Sequence, residues 1–174
     1  MAEFRSDAIS ISQEAGRPLG GLKVGTRFVI RKFLDGQVLP YEVVEFGGNV
    51  GLQPGIREMW DLAASLGSPT NYGNANARVG VGDGTSGENP LQSGLTGTLA
   101  SNAYAGMDVG YPARSNQQVS WRGTFGGAAA NIAWQELVID NGATPNKALI
   151  RKVSAQGTKT SGQSWELTAT IIMS

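Results

Sequence analysis

The glycine-rich stretch at residues 80–84, GVGDG, is the part of the chain whose composition most suggests ligand binding. A dinucleotide-binding fingerprint places its glycines between a strand and a helix whose N-terminus meets the pyrophosphate. Here the glycines are followed by TSGENP, which does not begin a helix, and no GxxxxGK[ST] motif for a P-loop is present in the sequence. The pattern therefore favours a glycine-rich turn, and no cofactor is predicted.

Two acidic residues near this stretch, Asp83 and Glu88, could join loop carbonyl groups around a calcium ion. Their spacing does not match an EF-hand loop, so the turn interpretation is preferred and no metal site is predicted. The sequence contains no histidine and no cysteine. It therefore lacks the usual general base, the usual zinc ligand and any disulfide framework.

Glu136 is the one acidic residue placed inside a predicted core strand. A buried carboxyl group with a raised pKa would indicate a functional site. The structural alternative is that Glu136 pairs with Arg122 or Lys152, or points into a subunit interface. This alternative is preferred because no histidine, cysteine or serine elbow accompanies the glutamate. We therefore predict no catalytic residue, no small-molecule substrate and no enzymatic activity.

The composition indicates one all-β domain without a strong charge. The 174 residues include 25 glycines and few runs of helix formers, which favours strands joined by many turns. Lys plus Arg and Asp plus Glu each number 14, so no overall field attracts nucleic acid or a membrane. No apolar stretch has the length of a signal h-region or a transmembrane helix. Synthesis in a cytosol-like compartment is expected.

The segment 119–141 has the longest run of sheet-forming residues and predicts the core hairpin of a β-sandwich. Its first strand places Val119, Trp121 and Phe125 on one parity, which is the pattern of a strand with one buried face. The Gly126-Gly127 pair breaks this strand.

The second strand of this hairpin is predicted over residues 132–139 and has apolar residues on both faces. Trp134 lies on one face, with Leu137 and Ile139 on the other. Such a strand is either central in its sheet or covered by a partner on its outer face. Leu137 and Ile139 are therefore candidate contacts with a partner subunit.

A second hairpin is predicted from residues 26–33 and 41–46, with Asp35-Gly36 in the turn. Phe28 and Ile30 alternate with Arg27, Val29 and Arg31 and point to the core. The hairpin also carries a basic cluster opposite two glutamates, namely Arg27, Arg31 and Lys32 facing Glu42 and Glu45. Cross-strand ion pairs explain this cluster more simply than nucleic-acid binding does.

The remaining elements are one helix, a long loop region and two late strands. A helix at about 54–66 has Ile56, Met59, Trp60 and Ala63 at helical spacing, which predicts Trp60 as a core plug. Long loops are expected at about 68–112, around a short strand at 78–81. Short and long strands are predicted at 149–153 and 164–173, the second with Trp165 and Leu167 on its buried face.

Residues 1–25 form a predicted extended N-terminal arm, and residues 26–174 a single β-sandwich domain. The arm has too few apolar residues to form a core element, so we expect it either to lie on a neighbouring subunit or to be a frayed terminal tail. Phe4, Ile9 and Ile11 are its candidate contacts with that subunit.

Several blocks follow one another in an order that resembles a known family. They are MWDLAASLG, NANARVGVGDG, MDVGYP, VSWRGTFGGAAANIAWQELVIDNG, LIRKVSAQGTKTSG and SWELTATIIMS, which together cover roughly residues 50–174. The series resembles minor structural proteins of tailed bacteriophage virions, assigned as head decoration (cement) or tail components. The resemblance implies a β-sandwich subunit that assembles on a virion as a symmetric oligomer, and it brings no catalytic motif.

The expected fold is mainly β: an antiparallel, jelly-roll-like β-sandwich with one short covering helix. Its predicted core contains Phe28, Ile30, Trp60, Trp121, Phe125, Trp134, Trp165 and Leu167. The favoured function is a capsid cement protein that binds the major capsid protein and itself, preferably as a trimer. A tail, fibre or baseplate component is the nearer alternative. A carbohydrate-binding sandwich is more distant, because it would need one of the four tryptophans exposed in a groove.

Overall fold

A computed structural model of the protein describes residues 23–174. In chain order the elements are β1 (Val24–Leu34), β2 (Glu42–Gly47), β3 (Val50–Gly51), α1 (Gln53–Ala64), β4 (Arg78–Gly82), a 3-10 turn (Leu99–Ser101), β5 (Ala103–Gly106), β6 (Ala113–Ser115), β7 (Gln118–Phe125), β8 (Glu136–Asp140), β9 (Ile150–Val153) and β10 (Gln163–Met173). Within this range, neither helix has the length and apolar character needed to cross a membrane. The predicted arm contacts Phe4, Ile9 and Ile11 lie outside the described residues.

The strands form two five-stranded antiparallel sheets, which confirms the prediction of a mainly β sandwich with one α-helix. Sheet A has the order β2-β1-β10-β7-β6, and sheet B has the order β3-β9-β8-β4-β5. The long strands β1 and β10 pair along their whole length, from Val24 opposite Met173 to Leu34 opposite Gln163. The last strand of the chain is therefore central in sheet A.

The β1–β2 hairpin forms as its residue pattern predicts. Phe28 lies opposite Phe46, and their rings stack with centroids 5.4 Å apart. Two of the expected cross-strand ion pairs are present, Arg27–Glu45 at 2.6 Å and Lys32–Glu42 at 2.9 Å. Arg31 instead reaches across to β10 and binds Glu166 at 2.6 Å.

The inner faces of the two sheets enclose the main core, and seven of the residues expected there are buried in it. These are Phe28, Ile30, Trp121, Phe125, Trp134, Trp165 and Leu167. The Trp134 ring lies between those of Phe125 and Trp165, with edge-to-face geometry and centroid distances of 4.9 Å on both sides. This arrangement is a favourable one for aromatic rings, whose faces are negative and whose edges are positive.

The segment 119–141 does not form a hairpin, and that prediction is wrong. Strand β7 belongs to sheet A and β8 to sheet B, so the chain crosses the sandwich between them. Strand β8 also begins at Glu136, and not at Ile132 as predicted. Residues before Glu136 form an irregular connection in which Trp134 still reaches the core. The connection is long enough to span the two sheets, which lie about 10 Å apart in a typical sandwich.

The face of helix α1 that packs against the protein differs from the one that the spacing of its apolar residues predicted. Met59 and Leu62 pack against the core, whereas Trp60 is 69% exposed, so its assignment as a core plug is wrong. The cause is Gly55, which is buried so closely against residues 148 and 149 that a Cβ atom would lie 2.5 Å from the Leu149 Cα. This backbone contact rotates the helix and directs Trp60 to solvent.

The region expected to be long loops contains two strands of sheet B. Strand β4 is central in that sheet, pairing with β8 on one side and with β5 on the other. Strand β5 was not predicted, because its sequence AYAG has no clear alternation. The remaining loop at residues 83–98 covers the outer face of sheet B through the contacts described next.

Candidate interaction surfaces

A buried ion pair between Glu136 and Arg151 organises the outer face of sheet B. The Arg151 Nε donates to a Glu136 carboxylate oxygen at 2.6 Å, and both side chains have no solvent exposure. The carboxylate also accepts hydrogen bonds from the backbone N–H groups of Thr96 and Gly97. Glu136 therefore pairs with Arg151, and not with Arg122 or Lys152 as predicted, because β9 runs beside β8 and places Arg151 on the same outer face.

The arginine of this pair holds the 83–98 loop through its remaining donors. Its Nη1 atom donates to the Ser86 carbonyl at 3.1 Å and to the Gln92 side chain at 3.0 Å, and its Nη2 atom donates to the Thr96 hydroxyl at 2.7 Å. A buried charge persists only when it is paired and hydrogen-bonded, and both partners here meet that condition. The arrangement is that of a structural anchor, with both groups fully engaged.

The absence of side chains at the glycines of GVGDG leaves room for the Glu136–Arg151 ion pair. A Cβ on Gly82 would lie 2.7 Å from a Glu136 carboxylate oxygen, and one on Gly84 would meet the same atom more closely. A Cβ on Gly80 would lie 2.6 Å from the Tyr104 ring. The motif therefore accommodates side chains of neighbouring strands at close range, as glycine in a strand interior often does.

Neither of the two loop acids considered for calcium is available without losing a protein contact. Asp83 accepts a hydrogen bond from the Thr98 backbone at 3.2 Å. Glu88 accepts from the Val153 backbone at 2.7 Å and lies 3.5 Å from the Lys152 ammonium group. In the described part of the chain, no group of three or more acidic side chains is placed to hold a metal ion.

Leu137 and Ile139 are not surface contacts, and this prediction is wrong. Both side chains are fully buried on the inner face of sheet B. The outer face of β8 is buried too, because Val138 packs in a second small core with Leu52 and Ala148. The other interpretation of an apolar strand, a central position, is therefore the correct one.

Among residues 23–174, the turn between β1 and β2 carries the densest group of exposed apolar side chains along the chain. We call it the apolar tip, and it consists of Leu34, Val38, Leu39 and Tyr41. Val38 is 90% exposed and Leu39 is 81% exposed. The turn is held by a hydrogen bond from the Asp35 N–H to the Gly162 carbonyl at 2.9 Å. The signal in the sequence is an apolar VLPY segment where a turn normally carries polar residues.

A second exposed apolar group lies on the solvent side of α1. Ile56 and Trp60 are one helical turn apart on this side, and the exposed Leu66 follows the C-cap residue Ser65. Single exposed apolar residues are common, but tryptophan is enriched at the energetic centres of protein interfaces. Sequence reasoning missed this group because it assigned Trp60 to the core.

Tyr104 on β5 has a raised pKa. From this we predict that the protein loses stability at alkaline pH. Burial, followed by the negative charge of Asp140, raises the pKa of Tyr104 to about 12. In the unfolded chain a tyrosine ionises near pH 10, so the folded state binds more protons between these values. The stability from Tyr104 is complete below pH 10 and is lost as the pH rises to 12.

We expect the free energy of unfolding to fall by up to about 1 kcal/mol per pH unit in this window, after allowance for partial solvent screening. Urea titrations at several pH values measure this fall in the free energy of unfolding. Tyr72 acts in the same direction, because burial raises its pKa as well. The Tyr104→Phe variant should therefore show a shallower fall than the wild-type protein. An unchanged slope would mean that Tyr104 ionises equally in both states.

The fold and the exposed groups define a two-sheet β-sandwich with apolar side chains presented at a hairpin tip and on a helix. Comparison of the chain with protein-family models, curated proteins and solved structures gave no match.

Proposed function

We propose that this protein is a structural component of a tailed bacteriophage virion, and specifically a capsid decoration (cement) protein. It would bind across subunits of the major capsid protein as a homo-oligomer, preferably a trimer, and stabilise the shell without catalysis. The proposal begins from the resemblance in residues 50–174, and the observation that carries it is the apolar tip.

The apolar tip has the properties of an interface anchor. Its four apolar side chains lie within eight consecutive residues, 34–41, on a turn tied to the body of the protein at Gly162. Exposed apolar groups gain free energy when a partner removes them from water. A turn that is already ordered loses little conformational entropy on binding. These properties support a protein whose task is attachment to another protein.

Attachment of this kind stabilises a shell even when each contact is weak. An oligomer that bridges several capsid subunits gains effective concentration for every contact after the first. Because the bridged arrangement exists only in the assembled shell, binding lowers the free energy of the shell relative to its separated parts. A near-neutral protein also needs no opposite charge on its partner.

A tail, fibre or baseplate component is the alternative within the same class. Such a component would use the same exposed apolar groups, so the distinction depends on where the protein sits in the particle. The carbohydrate-binding alternative gains one observation, because Trp60 is exposed. Trp60 lies on a helix and not in a groove of a sheet, so it gives that alternative little support.

The decisive measurement is genome release from particles as a function of temperature, with and without the gene for this protein. We expect particles without it to assemble and package DNA but to release it at a lower temperature. Purified wild-type protein added back should restore heat resistance. The Val38→Ser/Leu39→Ser double variant should not, because it removes the most exposed apolar anchors.

The matched control is Val109→Ser, which changes a valine that is 97% exposed outside the tip. This variant should restore heat resistance as the wild-type protein does. If deletion leaves heat resistance intact but abolishes adsorption or tail assembly, the head assignment is wrong and the tail alternative replaces it. If the double variant restores resistance fully, the tip is not the anchor.

A further inference from the structure

The turn that carries the apolar tip contains a residue pair whose backbone can react with its own side chain. The pair is Asp35-Gly36, directly after β1. In an Asp-Gly or Asn-Gly pair, the glycine backbone nitrogen can attack the Cγ atom of the preceding side chain, because glycine has no side chain to hinder the approach. The sequence contains three such pairs, at residues 35–36, 83–84 and 141–142.

In the unfolded chain the Asn141-Gly142 pair should react first. A neutral carboxamide is attacked more readily than a carboxylate, and an aspartate with a pKa of about 3.9 is almost fully ionised at neutral pH. The residue types alone therefore place Asn141 ahead of both aspartates. The surroundings of the three pairs in the folded protein reverse this order.

The fold holds the Asn141 side chain away from the reaction. Asn141 is 1% exposed, its Nδ2 atom donates to the Thr70 carbonyl at 2.7 Å, and its Oδ1 atom accepts from the Ala143 N–H at 3.2 Å. The carboxamide must break both hydrogen bonds before its Cγ atom can turn to the Gly142 nitrogen. This pair can therefore react only when the region opens.

The Asp83-Gly84 pair is constrained at both residues. The Asp83 carboxylate accepts from the Thr98 N–H at 3.2 Å, and Gly84 is buried. A Cβ on Gly84 would lie 2.6 Å from the Thr96 hydroxyl oxygen. The five-membered ring that the reaction forms has no space beside Gly84 in this close-packed region.

The Asp35-Gly36 pair is free of these constraints. Both residues are exposed, and a Cβ on Gly36 would meet no atom within 4 Å. Among residues 23–174, the Gly36 N–H makes no backbone hydrogen bond and the Asp35 carboxylate makes no ion pair. The turn is ordered instead by the Gln37 N–H, which donates to the Leu34 carbonyl at 3.0 Å.

We propose that Asp35 is a site of spontaneous conversion to isoaspartate in the folded protein. The Gly36 nitrogen loses its proton and bonds to Asp35 Cγ, while the protonated carboxyl group loses one oxygen as water, which closes a succinimide ring. Water then adds to one of the two ring carbonyls and opens the ring. Addition at Cγ restores aspartate, whereas addition at the main-chain carbonyl leaves isoaspartate. One water leaves and one enters, so the mass is unchanged and no oxidant is needed.

Isoaspartate changes the turn that presents the apolar tip. It routes the main chain through Cγ and lengthens it by one methylene group between residues 35 and 36. The hydrogen bond between Gln37 and Leu34 then no longer fits, so the turn should lose order. The reaction itself depends only on this turn and is independent of the virion role.

The test is incubation of the full-length protein at neutral pH and body temperature for several weeks. Peptide mapping with electron-transfer fragmentation then distinguishes isoaspartate from aspartate. We expect isoaspartate at Asp35 to exceed both isoaspartate at Asp83 and deamidation at Asn141 by roughly tenfold, because the other two pairs need local opening. In concentrated urea the order should reverse, with Asn141 modified first.

Two variants identify the chemistry. Asp35→Glu keeps the charge but would need a six-membered ring, so residue 35 should stay unmodified. Asp35→Asn forms the same succinimide from a neutral carboxamide, so residue 35 should convert severalfold faster than in the wild-type protein. The proposal is overturned if Asp35 of the folded wild-type protein stays unmodified, if Asn141 reacts before it, or if Asp35→Asn converts no faster.

Hydrogen exchange measures the effect on the turn. The Gln37 amide should exchange faster in aged wild-type protein than in fresh protein, and it should be unchanged in aged Asp35→Glu. Equal exchange in the two aged proteins would overturn the expected loss of order.

Discussion

Replacing Arg151 with methionine should lower the free energy of unfolding by about 3–5 kcal/mol. The substitution leaves the Glu136 carboxylate buried without its counter-charge, although the Thr96 and Gly97 backbone N–H groups still donate to it. It also releases the Ser86 carbonyl and the Gln92 side chain, which Arg151 holds in the 83–98 loop. The measurement is urea denaturation followed by tryptophan fluorescence.

The matched control is Lys152→Met, on the next residue of the same strand. Lys152 and Glu88 are 3.5 Å apart and both are partly exposed, so this variant should lose no more than about 1 kcal/mol. The double variant Glu136→Leu/Arg151→Met should be more stable than Arg151→Met alone, because it leaves no unpaired charge. A loss below about 1 kcal/mol for Arg151→Met would show that the pair adds nothing to the fold.

Hydrogen exchange provides a local check of the same idea. Because the ion pair fixes the loop to sheet B, the amides of Thr96 and Gly97 should lose protection in Arg151→Met, while those of β1 and β10 keep it. Equal loss over the whole chain would indicate global unfolding and not a loop anchored by Arg151.

The elements that the sequence predicted well are those whose contacts are periodic and local. The alternation in β1, β7 and β10 identifies the buried face of each strand, because side chains in a strand point to opposite sides in turn. The β1–β2 pairing follows from a short turn at Asp35-Gly36. These features depend on residues that are close in the chain, so their pattern can be read directly.

The candidate sites depend on contacts between distant parts of the chain. Glu136 finds its partner 15 residues away, on the strand next to its own, and its backbone donors about 40 residues away. The face that α1 presents was decided by the contact of Gly55 with residues 148 and 149. The spacing of apolar residues in the helix does not indicate that contact. The exposed position of Trp60 could not be predicted for this reason.

The second large effect on the free energy of unfolding is expected from replacing the buried tryptophans, with the exposed tryptophan as the control. We expect Trp134→Ala to cost about 3–5 kcal/mol, and Trp165→Ala a similar amount, because each leaves a cavity in the aromatic cluster. Both side chains are almost completely buried, and their rings touch edge to face. Trp60→Ala is the matched control and should change the free energy of unfolding by no more than about 0.5 kcal/mol, since its side chain is largely exposed.

The two buried tryptophans should respond differently to phenylalanine. The Trp134 indole N–H donates to the Ala130 carbonyl at 3.1 Å, whereas the Trp165 indole N–H is buried and has no hydrogen-bond partner among residues 23–174. Trp134→Phe therefore loses a hydrogen bond, although the Ala130 carbonyl still accepts one from the Ile132 N–H at 2.9 Å, while Trp165→Phe removes an N–H group that made no such bond. We expect Trp134→Phe to be less stable by about 1 kcal/mol in urea denaturation. Equal losses, or a greater loss for Trp165→Phe, would mean that the Ala130 hydrogen bond does not contribute and that ring packing alone decides the cost.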